Sequence, residues 1–156
     1  MSLTQTLKKT KFTAPNIAIR SARTYPTGTP TTYGIFTVIG NILVWALTAI
    51  VTVNMPAGAK TIAVRANAVA MDNTAFDLVG LAAGTRIIVH GAVAVETSVS
   101  VMAASSRTTG TLPWIVCPGT IDFILTGAGG IGTVAGALKW EMQWQPLTAD
   151  AAVRTV

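Results

Sequence analysis

Apolar and polar residues alternate along much of the chain with a period of two, the pattern that β-strands produce. Near the carboxyl end, one face of an extended segment carries large apolar side chains and the other carries polar ones: Leu138, Trp140, Met142 and Trp144 against Lys139, Glu141, Gln143 and Gln145. An earlier segment alternates similarly, with Val93, Val95, Val99 and Val101 opposite Ala94, Glu96, Ser98 and Ser100. Both segments are predicted to be strands with one buried face.

From residue 34 onward, short runs rich in β-branched residues are separated by glycine, proline and polar residues that suit turns. The predicted strands cover residues 34–40, 42–54, 60–70, 85–90, 92–102, 112–117, 120–126 and 137–145. About eight short strands at this spacing, with no helix required between them, predict an all-β fold. The expected architecture is a β-sandwich or jelly-roll-like domain with an extended amino-terminal arm.

The first 33 residues have too few large apolar side chains to form a core of their own. Prolines and a glycine interrupt this segment among many threonines, a composition that favours extended chain. At 156 residues the whole chain is long enough for one domain with a real core. We therefore predict an extended arm at residues 1–33, a β-sandwich domain at 34–147 and a carboxyl-terminal tail at 148–156.

Charge is distributed unevenly along the chain. Every charged residue before Asp72 is basic, and most of these lie ahead of Thr24: Lys8, Lys9, Lys11, Arg20 and Arg23. A basic segment without its own core is usually ordered by something else, such as a partner surface or a polyanion. We expect the arm to interact through these five residues and Tyr25. Because no nucleic-acid recognition module follows, the expected contact is with protein and not with nucleic acid.

The chain as a whole carries little charge. Charged residues make up 11% of the sequence and hydrophobic residues 51%, whereas about a quarter of residues are charged in ordinary soluble domains. Such a surface is expected to be partly covered by copies of the same chain. Pro15, Asn16 and Arg20 follow the first lysines where a secretory signal needs an apolar core, so synthesis in the cytoplasm is expected.

A membrane-spanning helix is the main alternative for the middle of the chain. No charged residue falls between Arg23 and Lys60, and Gly34–Val53 has about the 20 residues that a spanning helix needs. However, the stretch is rich in β-branched residues, and Gly40-Asn41 interrupts it with a pair suited to a turn or bulge. We predict two successive strands here and no membrane span.

The sequence offers little support for catalysis or a bound cofactor. Gly127–Gly132 matches G-x-G-x-x-G, but an alternating strand follows it, not the helix and second strand that dinucleotide binding requires. His90 is the only histidine and Cys117 the only cysteine, so neither has partners for a metal or nucleophile site. We expect no enzyme activity, no cofactor and no metal.

An extended arm, a small all-β body and a short polar tail together resemble structural proteins of tailed-bacteriophage particles, above all capsid decoration or cement proteins and small head or tail proteins. Residues 1–33, the turn at 55–59 and the strand at 138–145 carry this layout. The resemblance implies a non-enzymatic protein of the virion that forms homo-oligomers, often trimers, and binds capsid or other virion proteins through its arm. More loosely, the layout is similar to single jelly-roll coat proteins, although the arm is less basic than genome packaging would suggest.

A carbohydrate- or receptor-binding β-sandwich is an alternative function. In that case Trp114, Trp140 or Trp144 would serve as stacking platforms or interface residues, and at least one would have to be exposed. A small membrane protein that spans through Gly34–Val53 is a further alternative.

Overall fold

The structure is a computed structural model that describes residues 14–24, 31–57, 60–70, 76–89, 99–102, 114–127 and 136–156. In these segments the chain forms β-strands and no helix. The strands are β1 (Asn16–Thr24), β2 (Thr31–Ile39), β3 (Ile42–Val53), β4 (Lys60–Ala66), β5 (Val69–Ala70), β6 (Phe76–Asp77), β7 (Arg86–Val89), β8 (Val99–Met102), β9 (Trp114–Val116), β10 (Gly119–Gly127), β11 (Ala137–Pro146) and β12 (Ala152–Thr155).

The strands form two antiparallel sheets that pack face to face as a β-sandwich. The first sheet has the order β1-β11-β3-β7-β8, and β9 also pairs with β3. The second sheet has the order β12-β2-β10-β4-β5, and β6 also pairs with β4. The prediction of an all-β fold is confirmed.

The uncharged middle of the chain forms β2 and β3, as predicted. β2 belongs to the second sheet and β3 to the first, so Gly40-Asn41 carries the chain from one sheet to the other. Gly40 has a φ of 62°, and a Cβ there would collide with Thr148 and Ala151. Only glycine suits this corner, since it combines positive φ with close approach. Within the described segments, no helix is long and apolar enough to span a membrane.

The core lies between the two sheets. Phe123 of β10 and Trp140 of β11 are fully buried, and their rings meet across the interface with centroids 5.3 Å apart. Aromatic pairs at this separation add attraction beyond the area that they bury. The alternation predicted for the closing strand is confirmed from Leu138 to Gln143: Leu138, Trp140 and Met142 are buried, whereas Lys139, Glu141 and Gln143 are not.

The predicted boundaries of the arm and the tail need correction. β1 lies within residues 1–33 and pairs with β11, and β12 lies within residues 148–156 and pairs with β2. Strands at the edge of a sheet bury few side chains, so they need few large apolar residues. Composition alone therefore did not indicate that β1 and β12 belong to the sheets. Residues 1–13 and 25–30, with the predicted contacts Lys8, Lys9, Lys11 and Tyr25, lie outside the described residues.

Candidate interaction surface

β1 is the outer strand of the first sheet. Among the described strands it pairs only with β11. Ala18 packs against the core, whereas Ile17 and Ile19 face outward and are 64% and 49% exposed. An edge strand with exposed apolar side chains and free backbone groups is well suited to pairing with another chain.

The edges of the two sheets, β1 and β12, lie side by side and enclose a groove of about 300 Å³. We call it the β1–β12 groove. Its lining residues are Ile19, Arg20, Ser21, Ala22, Arg23, Thr155 and Val156. The groove is therefore mainly polar, with hydroxyl groups and two arginines beside a few apolar side chains.

A β-bulge in β1 brings both arginines to the groove. In a regular strand, residues three apart point to opposite faces. However, Arg20 lies opposite Trp140 and Arg23 lies opposite Leu138, so β1 has one more residue than β11 over this step. Since Trp140 and Leu138 both point into the sandwich, the bulge turns Arg20 and Arg23 to that same side.

Arg20 is buried at the inner end of the groove, with only 6% of its surface exposed. Its Nη1 donates a hydrogen bond to the carbonyl oxygen of Ile35 over 3.5 Å, at the outer limit for such a bond. The same oxygen accepts a hydrogen bond from the backbone N of Val156 at 3.3 Å. Ile35 is the extra residue of a bulge in β2, where the partners of β10 step from Phe36 to Gly34. Bulges in both sheets therefore shape this site.

The other described charges lie mainly in ion pairs on the sheet faces. On the second sheet, Arg65 Nε is 2.7 Å from Asp122 Oδ1. On the first sheet, Glu141 contacts Lys139 Nζ at 2.7 Å and Arg86 Nη1 at 4.0 Å. Basic residues whose side chains are described and that join no ion pair are Arg20, Arg23 and Arg154.

Of the three tryptophans predicted as stacking platforms, the structure excludes Trp140. Trp140 is completely buried against Phe123, which corrects the expectation that it could bind a sugar ring. Trp144 is half-buried and packs against the core, and the side chain of Trp114 lies outside the described part. Trp45, which sequence reasoning missed, is 37% exposed at a bulge in β3. Alternation gives no signal for it, because a bulge interrupts the period of two.

The segments that the structure describes bring no metal-ligating residues together in a group of three or more. Cys117 is exposed between β9 and β10. His90 and the glycine-rich residues 128–135 lie outside the residues that the structure describes. The chemistry of the described surface is therefore that of an edge strand beside a groove with two arginines.

Comparison of the chain with protein-family models, with curated proteins and with solved structures found no match. Function is therefore inferred from the residues and geometry of the chain itself.

Proposed function

We propose that the chain is a non-enzymatic structural protein of a virus particle, of the kind that decorates or cements a tailed-bacteriophage capsid. It forms a homo-oligomer, a trimer as the resemblance implies, and attaches to capsid or other virion proteins through the segment that leads into β1. The observation that carries the proposal is the exposed apolar edge of β1, which directly follows a basic segment in the sequence.

The exposed edge of β1 favours an assembled state over a free one. Ile17 and Ile19 lie on a strand whose outer side is unpaired within the described strands. Covering each isoleucine would contribute on the order of 1 kcal/mol, since about half of its surface is still exposed. Left uncovered, such an edge promotes aggregation, so a stable protein is expected to keep it against a partner.

The outer face of the first sheet supports self-association. It carries apolar side chains that a single copy leaves at least partly exposed: Ile17, Ile19, Leu43, Ile50, Ile88 and Ile115. Its charged side chains form one connected group around Glu141. Contact between copies at this face would bury apolar surface without stranding an unpaired charge.

Particle content tests the proposal. Particles purified on density gradients from the source culture should contain the chain in many copies, as measured by quantitative mass spectrometry. A chain that starts at residue 14 keeps β1 but lacks three lysines, and its recovery on particles should fall. Arg154→Gln is the matched control, because it removes one exposed basic side chain that joins no ion pair. Particles without the chain would refute the proposal, and full recovery of the truncated chain would refute its mode of attachment.

A further inference from the structure

Arg20 is a buried cation that joins no ion pair among the described residues. It is 6% exposed, and the one side-chain hydrogen bond that it makes within the described residues, to Ile35, is long. A guanidinium has five N–H donors, so most of its capacity is unused. Moving a cation out of water costs several kcal/mol unless a partner compensates, and buried charges in proteins are normally paired.

The β1–β12 groove leads to this cation. Arg23 lies farther out on the same side of β1, and Thr155 adds a hydroxyl group. The volume of about 300 Å³ is at the lower end of the range for ligand sites. It suits one small anionic group held in a mainly polar groove, with a second cation nearer solvent.

We propose that the β1–β12 groove binds the carboxylate of an aspartate or glutamate that belongs to an extended segment of a partner protein. Arg20 would bind the carboxylate through its planar pair of N–H donors, and Arg23 would add charge at the entrance. The edge of β1 next to the groove pairs with no described strand, so it offers backbone hydrogen bonds to such a segment, and an extended peptide would suit the anion's carrier.

This inference rests on the proposed function, since it specifies the chemistry of the partner that docks at β1. The two can nevertheless fail separately. Peptide binding is measured on the purified chain, whereas the proposed function is measured by particle content. Peptide binding in a chain that is absent from particles would refute the function and support the groove.

The experiment titrates the full-length chain with short capped peptides and measures affinity by calorimetry. One peptide alternates valine and threonine around a central glutamate, and its matched control has glutamine there. We expect the glutamate peptide to bind at least tenfold more tightly than the glutamine peptide, because only the carboxylate pairs with the buried cation. Equal affinity for the two peptides would overturn the proposal.

Substitutions locate the site. Arg20→Met should weaken binding of the glutamate peptide at least tenfold, and Arg20→Lys should also weaken it because the planar fork is lost. Arg154→Gln, on an exposed residue outside the groove, should leave affinity within twofold. Arg20→Met should keep the fold, since replacing an uncompensated buried charge by an apolar side chain is often neutral or stabilising. Unchanged affinity in Arg20→Met would refute the role of Arg20.

Inorganic phosphate and a single-stranded oligonucleotide test the other sources of anionic oxygen. Both should bind more weakly than the glutamate peptide, because neither can pair with the edge of β1. If either binds more tightly, and loses that affinity in Arg20→Met, the groove recognises phosphate and the carboxylate proposal is wrong.

Discussion

Replacing Gly119 with alanine should destabilise the sandwich much more than the same change at Gly80. Both glycines have positive φ, 146° at Gly119 and 66° at Gly80. An alanine in such a conformation costs roughly 1–2 kcal/mol. The surroundings differ, because a Cβ at Gly80 meets nothing within 4 Å, whereas a Cβ at Gly119 overlaps the side-chain amide of Asn67.

Asn67 holds the start of β10 against the turn that follows β4. Its Nδ2 donates hydrogen bonds to the carbonyl oxygens of Cys117 and Pro118, at 3.3 and 3.2 Å. Its Oδ1 accepts a hydrogen bond from the backbone N of Thr120 at 2.9 Å. Displacing the amide would forfeit these bonds, each with a net value of about 1 kcal/mol. Gly119→Ala should therefore lower the free energy of unfolding by roughly 4–5 kcal/mol, against roughly 1–2 kcal/mol for Gly80→Ala.

Urea denaturation followed by tryptophan fluorescence measures both losses, provided that the slope with urea is unchanged. Gly119→Ala is also measured in a chain that carries Asn67→Gly. This second substitution removes the obstructing amide, and glycine tolerates the φ of 52° at position 67. In that background Gly119→Ala should cost only the backbone strain. Equal losses at Gly119 and Gly80, or a penalty at Gly119 that persists after Asn67→Gly, would refute the reasoning.

Three further predictions concern the stability of the fold. Asp122→Asn should lower the free energy of unfolding by about 2 kcal/mol, since Asp122 is buried and its charge is paired. Lys139→Met breaks a more exposed ion pair and should lower the free energy of unfolding by less than about 1 kcal/mol. Equal urea midpoints for Asp122→Asn and Lys139→Met would contradict this contrast. A chain starting at residue 14 should unfold at the full-length midpoint. A chain starting at residue 25 lacks β1, and its free energy of unfolding should fall by more than about 2 kcal/mol, or it should aggregate. An unchanged thermal unfolding curve without light scattering from aggregates would show that β1 is dispensable. Trp140→Phe should cost only about 1–2 kcal/mol, because the buried indole Nε1 has no hydrogen-bond partner among the described residues and its removal offsets the lost packing. A loss above about 4 kcal/mol in the urea titration would contradict that offset.

The strands with strong alternation were predictable from sequence. In β11 the side chains at Leu138, Trp140 and Met142 share one face, and the structure buries all three. β2 and β3 were likewise predictable from their β-branched residues and the Gly40-Asn41 break. In these segments local pattern and tertiary packing demand the same arrangement.

The interaction surface was only partly predictable. Arg20 and Arg23 stood out as basic residues of the predicted arm, but a spacing of three does not place two side chains on the same face of a regular strand. The bulge that unites them depends on pairing between β1 and β11, which are distant in sequence. The burial of Trp140 likewise follows from the second sheet, whose Phe123 lies across the interface. Amino-acid composition does not predict edge strands such as β1, because these strands need few large apolar residues.

The mass of the full-length chain in solution tests the central claim most directly. Size-exclusion chromatography with multi-angle light scattering should give a homo-oligomer, with a trimer at three times the chain mass of 16.1 kDa. Replacing Ile17 and Ile19 with lysine should shift the mass toward that of one chain, because it puts unpaired charges on the outer face of the first sheet, where copies are proposed to meet. A wild-type chain that remains a monomer at every concentration tested would contradict the claim that this β-sandwich works as an assembled structural protein.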